Sequence, residues 1–174
     1  MANKRIAALS QGAAAWSGNA PGFAVDSDTK QLEINVDGTR RGIAATGYGR
    51  ILTAATTLVE ADNGGVFYLN ASSEFATTLP APFLGARYEF VVHTAPSGAS
   101  YTVVTASGAN VMVGSVHSST GGNADSEQTG GDTLSFVDGS AVKGDRAIFT
   151  SDGTSWYVTA FCDADGGITI TTAA

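Results

Sequence analysis

Gly144-Asp145-Arg146-Ala147-Ile148-Phe149-Thr150-Ser151-Asp152-Gly153-Thr154-Ser155-Trp156-Tyr157-Val158 is the stretch whose reading decides the fold. Two runs rich in β-branched and aromatic residues flank an Asp-Gly pair, the strongest short-range signal of a β-hairpin. The same punctuation recurs upstream. Lys30-Gln31-Leu32-Glu33-Ile34-Asn35-Val36 alternates polar and apolar without a fault, Asp37-Gly38 turns it, and Thr39-Arg40-Arg41-Gly42-Ile43 returns. Strict alternation is the mark of a half-buried strand, because successive side chains point to opposite faces.

Between these hairpins short strands follow one another. Val66–Leu69, Glu74–Leu79, Ala86–His93, Tyr101–Thr105, Asn110–Val116 and Thr133–Val137 are separated by turn residues such as Asp62-Asn63-Gly64-Gly65 and Pro96-Ser97-Gly98. Pro80 ends ladder pairing or marks an edge. Residues 118–131 are read as a loop, since they hold nothing apolar larger than alanine. Ile168–Thr171 is read as a last strand, able to pair with this chain or another. No segment keeps a helical stripe with capping residues, and no repeat of fixed period stands out. The expected fold is therefore all-β, a compact sandwich or barrel-like domain of short antiparallel strands. Three units are expected: an N-terminal arm over 1–29, a β-hairpin and connector over 30–49, and a β body over 50–174. The arm is too apolar for a solvated tail, with Ile6, Leu9, Trp16, Phe23 and Val25.

Charged residues make up 14% of the 174, well under the share of about 25% in ordinary soluble domains. A surface so poor in charge is weakly defended against association. The net charge of −7 is unevenly spread. Residues 1–50 hold six cations against four carboxylates, and residues 51–174 hold three against twelve. An acidic body repels nucleic acid and anionic lipid, so neither is an expected partner. No run of 18 apolar residues exists to span a membrane, and the N-terminus is read as the intact start of a product made in the cytoplasm.

Motifs that carry chemistry are sparse. The lone Cys162 allows no internal disulfide, and a small core or interface role is its expected one. A triad of Cys162 with a histidine and an aspartate stays open on sequence alone, as do the cysteine or carboxylate groups of a small hydrolase. Asp163-Ala164-Asp165-Gly166-Gly167 and Asp125-Ser126-Glu127 offer hard oxygen ligands, but the twelve-residue calcium loop with its closing Glu is missing, so solvated turns are expected. His93 and His117 sit in no metal-binding spacing. No catalytic residue, cofactor or metal is expected. Trp156, Tyr157 and Tyr101 are candidates for one sugar-binding face, with a core role for Trp156 the more ordinary reading.

Two stretches carry a resemblance to a known group of proteins. The first runs from Leu52-Thr53-Ala54-Ala55 through Asp62-Asn63-Gly64-Gly65-Val66-Phe67-Tyr68-Leu69-Asn70 and Thr77-Thr78-Leu79-Pro80-Ala81-Pro82 to Tyr88-Glu89-Phe90-Val91-Val92. The second runs from Gly144-Asp145-Arg146 through Ser151-Asp152-Gly153-Thr154 to Val158. Together they cover about residues 50–162, and they resemble the β domain of tailed-bacteriophage structural proteins, above all head decoration (cement) proteins. The resemblance implies a non-enzymatic virion protein, a homotrimer seated on the capsid surface. It would bind the major capsid protein and staple the shell against the pressure of packaged DNA. On that reading Ile6, Leu9, Trp16 and Phe23 anchor the arm, and Arg40 and Arg41 face an acidic capsid patch. A phage tail-fibre or baseplate module and a carbohydrate-binding sandwich are the alternatives.

Overall fold

The computed structural model describes residues 48–120 and 126–172, together with three N-terminal strand segments. Those segments are β1 (Gly22–Val25), β2 (Leu32–Val36) and β3 (Thr39–Ile43), which form a small antiparallel sheet in the order β1-β2-β3. The expected hairpin is there, with Val36 opposite Thr39 and Asn35 opposite Arg40. The segment assigned to the arm contributes β1, whose Phe23 pairs with Ile34. Ile6, Leu9 and Trp16 lie outside the described residues.

The body is a sandwich of two sheets. Its strands are β4 (Gly49–Leu52), β5 (Thr56–Thr57), β6 (Val66–Leu69), β7 (Phe75–Thr78), β8 (Leu84–Val92), β9 (Tyr101–Val104), β10 (Met112–Thr120), β11 (Ser126–Gly131), β12 (Thr133–Phe136), β13 (Arg146–Asp152), β14 (Trp156–Ala164) and β15 (Ile168–Thr171). The large sheet has the order β11-β10-β14-β13-β8-β6-β4, and the small sheet the order β15-β12-β9-β7-β5. The all-β sandwich is thus as expected, but the sheets are mixed where antiparallel strands alone were expected. From β4 to β9 the chain changes sheet at every strand. Consequently β4, β6 and β8 run parallel in one layer while β5, β7 and β9 run parallel in the other. The chain coils through three successive rungs. Gly49 aligns with Val66 and Val66 with Glu89, steps of unequal length, which is why no periodic repeat stands out in the sequence.

The second half closes the stack with hairpins. The Asp-Gly hairpin joins β13 to β14 as expected, with Ser151 opposite Trp156. Gly153 takes a φ of 98°, a left-handed conformation that an L side chain would strain. Strand β14 also pairs in parallel with β10. The segment 118–131 is corrected: β10 continues to Thr120, and β11 folds back on it across a bulge at Met112/Val113. Backbone pairing holds this edge together. The segment is built of small and polar residues such as Ser, Thr and Gly, so apolar content gave no strand signal.

Inward-facing residues of both sheets form one core. At its centre five fully buried rings close a circuit. Phe67 lies 6.2 Å from Tyr88, Tyr88 5.6 Å from Trp156, Trp156 6.5 Å from Phe149, Phe149 5.5 Å from Phe90, and Phe90 5.5 Å from Phe67. The rungs supply Phe67, Tyr88 and Phe90, and the closing hairpin supplies Phe149 and Trp156. Offset and edge-to-face pairs of this kind add about 0.5–1.5 kcal/mol each beyond their burial. Tyr88 donates its hydroxyl proton to the carbonyl of Val59 at 3.0 Å, and burial pushes its phenol well above the ordinary tyrosine range.

Candidate binding face

The inner faces are occupied by the core, so chemistry directed outward falls to the solvent face of the large sheet. Alternation along each strand decides which residues stand there. On β14 the inward set Trp156, Val158, Ala160 and Cys162 is buried, and the outward set Tyr157, Phe161 and Asp163 is exposed. Strand register then aligns outward residues from six strands into one row: His117, Phe161, Arg146, Val91, Tyr68 and Ile51. A second row behind it holds Ser115, Thr159, Ile148, Glu89, Val66 and Gly49. Ile51 is 57% exposed and Phe161 41%, and Tyr157 and Leu84 extend the apolar surface toward the β13–β14 turn.

The His117–Phe161–Arg146 end of the row is held by its own contacts. Phe161 stacks on the His117 ring at 5.5 Å between centroids, and the Arg146 guanidinium sits 5.5 Å from the centre of the Phe161 ring. Ser115 Oγ lies 2.9 Å from His117 Nε2. Arg87 pairs with Glu89 at 3.0 Å. A cation over an exposed ring is worth about 0.5–1 kcal/mol, enough to bias a rotamer. At the turn, Asp152 accepts hydrogen bonds from the backbone N–H groups of Ser155 and Thr154, the Thr154 hydroxyl and the Tyr157 hydroxyl. Those donors hold its carboxyl well below the usual carboxylate range, and the same contact raises the Tyr157 phenol. The face carries Arg87 and Arg146 against Glu89, Asp152 and Asp163, so it is nearly balanced on a chain of net charge −7.

Several sequence-level candidates are separated by the fold. Trp156 and Tyr101 are fully buried, so they share no sugar-binding face with exposed Tyr157. Trp156 belongs to the ring circuit, and Tyr101 binds the backbone of Ala71 through its hydroxyl. Cys162 and the His117 ring lie on opposite sides of the large sheet. The thiol is buried, donates to the His117 carbonyl at 3.7 Å, and is pushed up in pKa chiefly by burial, the reverse of what activates a nucleophile. The Asp-rich segment near the end of β14 is used structurally: Asp145 Oδ1 accepts from the Asp163 N–H, and Asp163 accepts from the Ser119 hydroxyl. Among the described residues no group of three or more His, Cys, Asp or Glu converges as a metal site would require. Phe23, Arg40 and Arg41 lie on β1 and β3, apart from the outer row in sequence and in sheet.

Sequence reasoning missed the row itself. Its members come from positions 51, 68, 91, 117, 146 and 161, and they become neighbours only once the register of six strands is known. Each strand's alternation gave a weak hint of which residue points outward. No protein-family model matches the chain, and no curated protein matches it.

Proposed function

We propose that this chain is a structural virion protein of a tailed phage, one that binds the outer surface of the capsid, associates with itself and stabilises the shell without catalysis. The observation that carries the reading is the six-residue row across the large sheet. Aromatic, aliphatic and guanidinium groups are aligned there by strand register on a surface of nearly balanced charge. Interfaces are enriched in aromatic residues and arginine, and their energy concentrates in a few well-held side chains. The major capsid protein is the partner, and the resemblance over residues 50–162 supports that choice. Ile6, Leu9, Trp16, Phe23, Arg40 and Arg41 form a second zone of shell contact, proposed from sequence alone.

Undecorated capsids of the phage that encodes the chain provide the test. The wild type is expected to co-sediment with them at saturation, and Phe161→Ser with Tyr68→Ser is expected to bind at least about tenfold more weakly, the loss of one strong hot spot. Binding unchanged by the double variant would move the contact off this face. A second reading, carbohydrate binding, draws on the exposed rings of Tyr157, Phe161 and Tyr68 on the same face. Retention of the wild type on a glycan array, lost in the same variant, would favour it.

A further inference from the structure

We infer that Arg146, near the middle of the outer row, is the anion anchor of the face, and that the capsid surface seated there presents an aspartate or glutamate carboxylate to it. The inference rests on the proposed function and names the chemistry of the partner at that same face. Arg87, Glu89, Asp152, Asp163 and Arg146 are the charged side chains on this face, and the first four are already engaged within the molecule. Glu89 pairs with Arg87 at 3.0 Å. Asp152 accepts from the turn and from Tyr157, and Asp163 Oδ1 accepts from the Ser119 hydroxyl at 2.7 Å. Arg146 is exposed, and among the described residues it has neither a hydrogen-bond acceptor nor a carboxylate within ion-pair reach. Its guanidinium sits instead over Phe161, 5.5 Å from the ring centre. Such a contact engages the ring and leaves the N–H donors without oxygen acceptors.

That arrangement sets a condition on whatever covers the row. Solvent serves the donors of an exposed guanidinium, and a partner seated over Phe161 displaces it. A charge taken out of water without a counter-charge is costly, so buried charges are found paired. The carboxylates of this face are committed to other donors, and the counter-charge therefore comes from the partner.

A carboxylate meets the condition best, because its two oxygens match the guanidinium fork. Polyanions meet it poorly. Residues 51–174 hold twelve carboxylates against three cations, and Glu89 and Asp163 stand on the same face as Arg146. Val91 stands opposite Arg146 in the row, and Ile148 lies in the row behind it. The carboxylate thus arrives on a segment whose neighbouring side chains are apolar.

Co-sedimentation of the full-length chain with undecorated capsids of the encoding phage tests this. Arg146→Gln is expected to bind at least about thirtyfold more weakly, with an unchanged circular dichroism spectrum. Arg146→Lys keeps the charge and loses the fork, so its binding is expected between the two. Lys143→Gln removes the same unit of charge from the turn ahead of β13 and is expected to bind within about twofold of wild type. A second arm needs no variant: capsids whose surface carboxylates have been converted to amides with a carbodiimide and glycinamide. The wild type is expected to bind these as weakly as Arg146→Gln binds untreated capsids, and Arg146→Gln is expected to lose nothing further. Wild-type binding that survives amidation, Arg146→Gln binding at wild-type strength, or an equal loss in Lys143→Gln would each overturn the anchor and leave the proposed function standing. A wild type that ignores untreated capsids would remove the proposed function and the anchor with it.

Discussion

The rungs of β4 to β9 and the hairpins of β10 to β15 solve the same problem in different ways. Each half must bury the apolar faces of short strands. The rungs do so by crossing between layers at every step, which leaves parallel neighbours in both layers. The hairpins fold back on themselves, insert β14 beside β10, and bring β11 toward β15 at the far end. One molecule therefore carries parallel ladders in one half and hairpins in the other. The difference teaches that one core can be walled by long-range parallel ladders on one side and by local hairpins on the other.

That contrast holds only if both halves share a single core, and the ring circuit is where they meet. Phe67→Ala removes a fully buried ring on the rung side and should cost about 4 kcal/mol, as large aromatic truncations do. Chemical denaturation should show one cooperative transition moved to lower denaturant. Two separated transitions would break the comparison by making the halves independent.

On the hairpin side the sharpest probe is Gly114. A Cβ there would overlap the carbonyl oxygen of Val158, because β10 and β14 run together at close quarters. Gly114→Ala should cost about 3 kcal/mol, read as a fall in thermal midpoint, since backbone on the neighbouring strand has nowhere to go. A neutral result would mean that the closing strand is held less tightly than the rungs.

A smaller effect is expected at the turn of that hairpin. The Asp152 carboxyl is depressed in the folded state by its Ser155, Thr154 and Tyr157 donors. Its contribution is therefore present above the ordinary aspartate value near 4 and fades as pH falls through the lower folded value. Asp152→Asn should lower the melting temperature at neutral pH, and the gap from wild type should narrow in strong acid. A gap constant with pH would show that the ionised carboxylate contributes nothing to the turn.

The smallest effect is expected at Leu84, 82% exposed at the start of β8. Leu84→Ser should change stability by no more than about 0.5 kcal/mol, as surface positions do. A larger loss, measured by the same denaturation, would mean that the outer face contributes to folding as well as to contact.

Hairpins were the most legible part of the fold. Asp152-Gly153 and Asp37-Gly38 between alternating runs fixed two of them, because a two-strand turn is a local event with a local chemistry. Val66–Leu69, Tyr101–Val104 and Thr133–Phe136 were visible for the same reason. Parallel pairing was not legible. Gly49 meets Val66 and Thr56 meets Thr77 only after the chain has visited the other layer, over spans of unequal length, and nothing local records that journey. Strand β11 was hidden by its small polar composition. The candidate face was hidden more deeply, since Phe161 and Ile51 share a row only through four intervening pairings. The fate of Cys162 was half legible: its type argued for burial, but the sheet that parts it from the His117 ring had to be seen.

Co-sedimentation of the purified chain with undecorated capsids, alongside the Phe161→Ser, Tyr68→Ser variant, tests the central claim most directly. The account predicts saturable binding by the wild type, capsids that survive higher temperature once coated, and at least about tenfold weaker binding by the variant. A wild type that stays in the supernatant with capsids at saturating concentration would contradict it.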